Sequence, residues 1–197
     1  DHAKLREAMI AWVRETGNKV LVCPEMIITG YAIGLEKLQQ YSYQDQIEWT
    51  HTVAQIAKQN QIAIVYGFPD YEDSAAIYNA CLFMSEDGVV LAKYAKTHLY
   101  GSLDSSQFTA GKKIGPCFNW KGWRLGMLIC YDIEFASAAR KLALQDVELI
   151  IVPTANMLDF EQVPNVLVPA RAYENSCYVV YANAVGQETL NNLSILY

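Results

Sequence analysis

The chain has 197 residues, of which 52% are hydrophobic and 18% are charged, and it carries a formal net charge of −6. This composition is typical of one globular domain with enough chain to bury a substantial core, and it excludes a disordered segment. No apolar run approaches the ~20 residues that span a bilayer, and an acidic chain without a basic cluster is not expected to have nucleic acid or an anionic membrane as its main partner.

The five cysteines are odd in number, scattered, and mostly placed inside apolar runs. This usage argues against a disulfide framework and, together with a start that lacks a signal-peptide pattern, predicts a reducing, cytoplasmic location. The sequence contains no CxxC pair, HExxH motif, dense histidine cluster or glycine-rich phosphate loop. We therefore expect neither a metal nor another cofactor.

The first part of the chain predicts two helices, a strand after each, and a hairpin. Helical spacing indicates a first helix from four apolar residues, namely Leu5, Met9, Trp12 and Val13. A strand follows at 20–24, and a second helix is predicted over 47–59 with an inner side formed by Ile47, Val53, Ile56 and Ala57. A strand at 62–68 precedes a hairpin of two strands, 77–84 and 89–94, joined by a turn that contains an Asp-Gly pair.

The second part alternates strands with helices. A buried strand is predicted over 126–130, so that Cys130 stands at its C-terminal end. An alanine-rich helix over 135–145, a strand over 147–152, a helix through 171–174 and a strand over 177–182 follow in turn.

This alternation, with one hairpin and no linker, indicates a single α/β domain over residues 1–197. The chain opens within a helical pattern with no strand before it, and its last residues, 193–197, look like the beginning of a strand. We expect that a first strand and the C-terminal strands of the domain are missing.

Three reactive side chains each follow an apolar run. Glu25 follows the strand at 20–24, Lys96 follows the hairpin, and Cys130 ends the strand at 126–130. Open α/β sheets place ligands beyond the carboxyl ends of their strands. A carboxylate, an ammonium and a thiol in such positions are the groups needed for thiol attack on a carbonyl.

Four motifs of the chain resemble those of a known protein family. Pro-Glu-Met-Ile-Ile-Thr-Gly-Tyr at 24–31, Tyr-Ala-Lys-Thr-His-Leu at 94–99, Cys-Tyr-Asp at 130–132 and Ala-Arg-Ala-Tyr-Glu-Asn at 170–175 occur in this order. In motifs and order the chain resembles the nitrilase superfamily, the carbon–nitrogen hydrolases. The resemblance implies an α-β-β-α sandwich, association through the helical layers into a homodimer or higher homo-oligomer, and a triad formed by Glu25, Lys96 and Cys130. At 136–137 the chain has Ala-Ser where relatives commonly carry Pro-Glu.

The roles within the triad follow from the chemistry of thiols. A thiol is mostly protonated at neutral pH, so Cys130 needs a base, and a desolvated Glu25 is the candidate. Attack on an amide produces an oxyanion, to which Lys96 supplies positive charge and the backbone N–H of Tyr131 a second donor. His98 is an alternative base in a Cys–His scheme, although its place two residues from Lys96 favours a role in shaping that loop.

Simpler interpretations exist for several of these residues. Cysteines in apolar strands usually serve packing, and this applies to Cys23, Cys81, Cys117 and Cys177. Taken singly, Glu25 is also consistent with a capping carboxylate and Lys96 with a solvated lysine on an edge strand. Arg171 and Glu174 fit either a solvated helical pair or a role in supporting the site.

Asp104 is a further candidate for the site. It lies eight residues after Lys96, where many relatives place a second glutamate that positions substrate and triad. Because aspartate is one methylene shorter, this role requires that the loop move inward or that a water intervene. The alternative is an ordinary turn residue.

The resulting function prediction is an amidase that cleaves a small aliphatic or carboxylate-bearing amide to an acid and ammonia. A nitrilase or an N-carbamoyl amidohydrolase is the alternative within the same fold. From another class, the chain could be a catalytically silent binding or assembly protein, against which an intact triad argues. The expected partner is a small-molecule amide or nitrile.

Overall fold

The computed structural model describes residues 7, 19–73, 75–190 and 193–197. The helix predicted from Leu5, Met9, Trp12 and Val13 lies outside these residues. No described helix combines the length and the apolar character required to cross a membrane.

The first sheet contains four strands in the order β1-β2-β3-β4. They are β1 (Val20–Val22), β2 (Ala63–Asp70), β3 (Tyr78–Met84) and β4 (Val90–Ala95). β1 pairs parallel to β2, and the other pairs are antiparallel. β3 and β4 form the hairpin predicted from the Asp-Gly pair, and Gly88 adopts a positive φ of 72° in its turn.

The second sheet also contains four strands, in the order β5-β6-β7-β8. They are β5 (Cys117–Trp120), β6 (Trp123–Met127), β7 (Leu149–Thr154) and β8 (Tyr178–Asn183). β5 pairs antiparallel to β6, whereas β6, β7 and β8 are parallel. A separate hairpin is formed by β9 (Gln187–Leu190) and β10 (Leu193–Leu196).

Helices connect and cover the strands. The α-helices are α1 (Leu35–Leu38), α2 (Tyr43–Asn60), α3 (Gly101–Ser105), α4 (Ala136–Ala143) and α5 (Val168–Asn175). Two 3₁₀ helices span Cys130–Glu134 and Leu158–Phe160, and a π-helical turn spans Val163–Leu167.

The two sheets pack face to face, with helices on the outside. The side chains of β2 alternate accordingly: Val65 joins Phe83, Leu125 and Ile151 in the core between the sheets, whereas Ile64 packs beneath α2. On the other side, α4 buries its own apolar face against the second sheet. The structure confirms the predicted α-β-β-α sandwich.

Two sequence predictions are wrong in detail. Of the four residues expected on the inner side of α2, Val53, Ile56 and Ala57 are buried, but Ile47 is 44% exposed. The helix begins at a Ser42–Asp45 capping box, and Gln46 and Trp49 point inward where Ile47 was expected. The strand predicted over 126–130 ends at Met127, so Cys130 is not its last residue but begins a 3₁₀ helix.

Candidate active site

Glu25, Lys96 and Cys130 come from three separate elements and are all buried, at 3%, 0% and 8% exposure. Glu25 follows β1, Lys96 directly follows β4, and Cys130 lies three residues beyond β6. Burial of all three groups removes the water that would otherwise solvate their charges, so their interactions with each other dominate.

Lys96 is held between two carboxylates. Its Nζ donates to Glu25 Oε1 at 2.8 Å and to Asp104 Oδ2 at 2.6 Å. The same ammonium lies 5.5 Å from the centre of the Tyr31 ring. Burial by itself would lower the pKa of Lys96, but the charges of Glu25 and Asp104 outweigh burial and hold that pKa well above its usual value.

Glu25 keeps one oxygen unengaged. Oε1 accepts from Lys96 and from Asn79 Nδ2, the latter at 2.7 Å, while Oε2 accepts no hydrogen bond within the described part of the chain. Burial raises the pKa of Glu25, and Lys96 opposes this effect. A desolvated carboxylate with a free oxygen beside a thiol is suited to accept its proton.

The loop that carries Glu25 packs closely on β2. A Cβ at Gly67 would stand 2.3 Å from the backbone nitrogen of Met26, so only glycine leaves room for this contact. The approach fixes the position of Glu25 relative to the first sheet.

Cys130 begins the 3₁₀ helix in a left-handed backbone conformation, with φ at 43°. Such a conformation is uncommon outside glycine and is often found at functional sites. Burial, reinforced by the Glu25 charge, raises the pKa of the thiol well above its usual value, whereas Lys96 and the backbone N–H of Ala155 act in the opposite direction. The resting sulfur is therefore a protonated thiol that requires a base.

Asp132 links the loop of Cys130 to the loop of Lys96. Its Oδ1 accepts from Thr97 Oγ1 and from the backbone N–H of His98, both at 2.9 Å. Its Oδ2 accepts from Tyr94 Oη at 2.8 Å and from the backbone N–H of Ile129 at 3.1 Å. Four residues of two chain segments thus contact one buried carboxylate.

His98 belongs to this network. Its Nδ1 lies 2.7 Å from Asp132 Oδ1, and its ring stacks on Phe135 with 4.0 Å between centroids. These contacts orient the imidazole towards the supporting carboxylate and agree with the loop-shaping interpretation rather than the Cys–His scheme.

Arg171 is a buried support and not part of a solvated pair. Its Nε donates to the carbonyl of Ile133 at 3.1 Å, and its Nη2 donates to the carbonyl of Glu134 at 2.7 Å. Its Nη1 also reaches Glu174 at 3.2 Å. The guanidinium therefore caps the end of the 3₁₀ helix that Cys130 begins.

A small cavity of about 20 Å³ opens at Cys130. Its wall includes Tyr31, Tyr100, Tyr131, Glu134, Asn156 and Phe160. Of these six residues, only Tyr131 was predicted from the sequence as part of the site, and it was predicted for its backbone N–H, which lies in the first turn of the 3₁₀ helix. Glu134 could also have been predicted from the sequence as a residue near the thiol, because it lies about one helical turn after Cys130.

The terminal hairpin holds the loop that bears Tyr31. Glu188 of β9 accepts from the backbone N–H of Tyr31 at 3.2 Å and from that of Ala32 at 2.6 Å. Tyr197 Oη donates to the same carboxylate at 3.0 Å. Residues at the end of the described chain thus position an aromatic wall of the cavity.

The remaining cysteines lie in or against the apolar core, as expected of packing residues. Cys81 and Cys177 belong to the large core cluster that includes residues of both sheets and of α4, Cys23 belongs to the cluster under α2, and Cys117 packs against the former. All five cysteines are free thiols.

Comparison with known proteins gives consistent matches along the chain. A model of the carbon–nitrogen hydrolase family matches residues 2–197. The hydrolase in the pqqF 5'region of Pseudomonas protegens is 46% identical over 173 residues, which are 88% of this chain and 61% of that protein. An (R)-stereoselective amidase from a Pseudomonas species is 34% identical over 167 residues, covering 85% of this chain and 59% of the amidase. The chain spans about three fifths of the length of these relatives.

A solved structure shares the fold. It is a variant of the amidase from Nesterenkonia sp. AN1 and shows the result of Michael addition of acrylamide at the active-site cysteine. The TM-score is 0.89 at 31% identity, and the match covers 99% of this chain and 75% of that chain.

Proposed function

This chain belongs to the carbon–nitrogen hydrolase family, and on that premise we propose that it hydrolyses a small amide to a carboxylic acid and ammonia through a thioester on Cys130. The observation that carries the proposal is the buried cluster in which Glu25 and Asp104 hold Lys96 beside the thiol. The relatives named as amidases support the amide as substrate class.

In the first half of the reaction, the Cys130 sulfur attacks the amide carbon while Glu25 takes the thiol proton. The carbonyl oxygen becomes an oxyanion, which Lys96 and the backbone N–H of Tyr131 stabilise. The carbon–nitrogen bond then breaks, and the proton held by Glu25 passes to the nitrogen. Ammonia leaves, and the acyl group stays on the sulfur as a thioester.

In the second half, water attacks the thioester. Glu25 takes a proton from the water, the same oxyanion site stabilises the second tetrahedral intermediate, and the carbon–sulfur bond breaks. The proton returns from Glu25 to Cys130, so that the acid is released and the thiol is restored.

The substrate is proposed to be small, because the cavity at Cys130 has room for little more than one water in its present shape. Its aromatic wall favours a short aliphatic acyl group. Free thiols fit a reducing compartment, so the cytoplasm is the proposed location, and a homo-oligomer formed through the helical layers is the proposed assembly.

Ammonia release from a panel of amides, nitriles and N-carbamoyl amino acids tests the proposal, with Cys130→Ala as the blank. Turnover confined to amides, together with an acyl or acrylamide adduct mapped to Cys130 by mass spectrometry, is the expected result. Turnover of nitriles or carbamoyl compounds alone would move the chain to the corresponding enzyme class. A folded protein that releases ammonia from none of them, and forms no adduct at Cys130, would indicate a silent binding protein.

A further inference from the structure

Glu134 contributes an acidic side chain to the wall of the cavity at Cys130. It is the last residue of the 3₁₀ helix that Cys130 begins, and both residues line the same space. Among the described residues of that wall, Glu134 is the one with a carboxylate; the others are aromatic, amide, thioether, methyl or thiol side chains.

The carboxylate of Glu134 has no hydrogen-bonding or ion-pair partner within the described ranges. The nearby guanidinium of Arg171 donates to the main-chain oxygens of Ile133 and Glu134 and to the side chain of Glu174. Burial raises the pKa of Glu134, against the opposing charges of Lys96 and Arg171. A half-buried carboxylate without a partner is stabilised when a cation or a hydrogen-bond donor approaches it.

The charge balance around the thiol reinforces this preference. Glu25 and Asp104 together contribute two carboxylates to one ammonium, that of Lys96. With the thiol protonated and both carboxylates ionised, the buried cluster carries about one excess negative charge. Glu134 adds another at the cavity wall, which Arg171 offsets only in part because Arg171 is itself paired with Glu174. A substrate that bears a carboxylate would therefore be repelled on entering the cavity.

We propose that Glu134 determines specificity at the acyl side of the substrate, so that the site favours amides bearing an amine near the acyl carbon and rejects amides bearing a carboxylate. This inference rests on the proposed amidase function. It excludes the carboxylate-bearing amides, which were among the substrates predicted from the sequence.

The geometry sets the length of the preferred substrate. Four residues of 3₁₀ helix separate the two positions by about 8 Å along the axis at ~2.0 Å per residue. The Glu134 side chain covers part of this distance. An amide with an amine two or three bonds from its carbonyl carbon, such as 3-aminopropanamide, is the probe that matches this spacing once the side chains of the wall move apart to admit it.

The test compares kcat/KM for three amides of similar size, butyramide, 3-aminopropanamide and succinamic acid, within each protein variant. In the wild type we expect kcat/KM for the amine-bearing amide to exceed that for the carboxylate-bearing amide by about two orders of magnitude, since one charge pair at about 4 Å, screened nearly as in water at this half-exposed carboxylate, accounts for up to about tenfold in each direction. Glu134→Gln should reduce this ratio by about tenfold or more, and Glu134→Lys should invert it. Glu36→Gln removes the same charge from an exposed position on α1, outside the cavity, and should leave the ratio unchanged.

A second measurement does not depend on turnover. The rates at which iodoacetamide and iodoacetate alkylate Cys130 are followed by peptide mapping and normalised to a free thiol. Wild type should discriminate against the anionic reagent, and Glu134→Gln should reduce the discrimination by about tenfold. Equal ratios in wild type and Glu134→Gln would overturn the assignment of Glu134. Absence of hydrolysis with a clear shift in the alkylation ratio would instead reject the amidase proposal and uphold the charge selectivity of the cavity.

Discussion

Asp104 Oδ2 lies 2.6 Å from Lys96 Nζ, closer than Glu25 Oε1 at 2.8 Å. The ammonium is thus shared, and its charge only partly compensates Glu25. Asp104 also acts on Glu25 directly, since its negative charge contributes to raising the pKa of Glu25. The pair of carboxylates around one lysine keeps Glu25 more basic than a simple ion pair would.

The shorter side chain of Asp104 reaches Lys96 because the chain folds inward. Residues Gly101–Ser105 form α3, which buries Asp104 completely, and the backbone N–H of Tyr100 donates to its Oδ2 at 2.8 Å. Of the two possibilities raised by the sequence, an inward loop rather than an intervening water makes the contact. The geometry does not agree with an ordinary solvent-exposed turn residue.

Replacing Asp104 by Asn should shift the pH dependence of amide hydrolysis to lower pH. In the proposed mechanism Glu25 must be a carboxylate, so activity should rise as pH increases through the Glu25 pKa. Removing the charge of Asp104 removes one cause of the raised pKa, and the acidic limb of kcat/KM therefore moves down in pH. The maximal rate should fall, because Lys96 loses one of its two anchors.

Asp87→Asn is the matched control, since Asp87 is exposed in the hairpin turn. It should reproduce the wild-type pH profile. Asp104→Glu retains the charge and should retain the acidic limb. An acidic limb that moves upward in Asp104→Asn, or wild-type kinetics throughout in Asp104→Ala, would show that Asp104 does not act on Glu25.

Replacing Lys96 by Met should lower kcat by about 10²–10³-fold, the usual cost of losing one oxyanion donor. KM should change less, because the contact strengthens only as the oxyanion forms. A change confined to KM would make Lys96 a substrate-binding residue instead.

The same change leaves two buried carboxylates without a cation. Breaking a buried pair in this way costs about 3–5 kcal/mol of unfolding free energy, which denaturant titration measures. The double variant Lys96→Met with Asp104→Asn should recover part of this stability without recovering kcat. That combination separates the catalytic loss from the structural one.

Local sequence was sufficient to predict most of the fold and to single out three polar groups that the structure brings together. Glu25, Lys96 and Cys130 each follow an apolar run, and a strand that ends in a polar group is readable from pattern alone. The hairpin likewise follows from its turn chemistry.

Long-range contacts account for what the sequence could not provide. Asp132 ties the loop of Cys130 to the loop of Lys96, and its partners in the latter loop lie 34 to 38 residues away in the chain. The buried role of Arg171 depends on carbonyls 37 and 38 residues earlier. Periodicity also failed to orient Ile47, because the register of α2 is set by its cap and by packing on the first sheet.

Asp132→Asn should slow hydrolysis without making Cys130 inaccessible. An amide cannot accept from all five donors, so the loops of Cys130 and Lys96 separate slightly. We expect a reduction of about tenfold to a hundredfold in kcat, since small misplacements of reacting groups have effects of this size. Alkylation of Cys130 by iodoacetamide should continue, and His98→Ala should have a smaller effect than Asp132→Asn. Equal activity of Asp132→Asn and wild type would contradict a positioning role.

Cys130 should be the sole essential thiol. Cys130→Ala should abolish ammonia release and adduct formation, because no other cysteine lines the cavity within the described residues. Cys130→Ser should also be very weak, since Glu25 is a poor base for a hydroxyl whose pKa is far above that of a thiol. The measurement is ammonia release with each variant, accompanied by thermal unfolding to confirm that the protein is folded.

Cys23→Ala and Cys177→Ala serve as controls for this prediction. Each removes a buried core thiol, at 1% and 9% exposure, and should cost some stability while the chemistry is retained. Substantial activity in Cys130→Ala would reject the thioester mechanism. Loss of activity in a folded Cys177→Ala protein would show that a second thiol takes part.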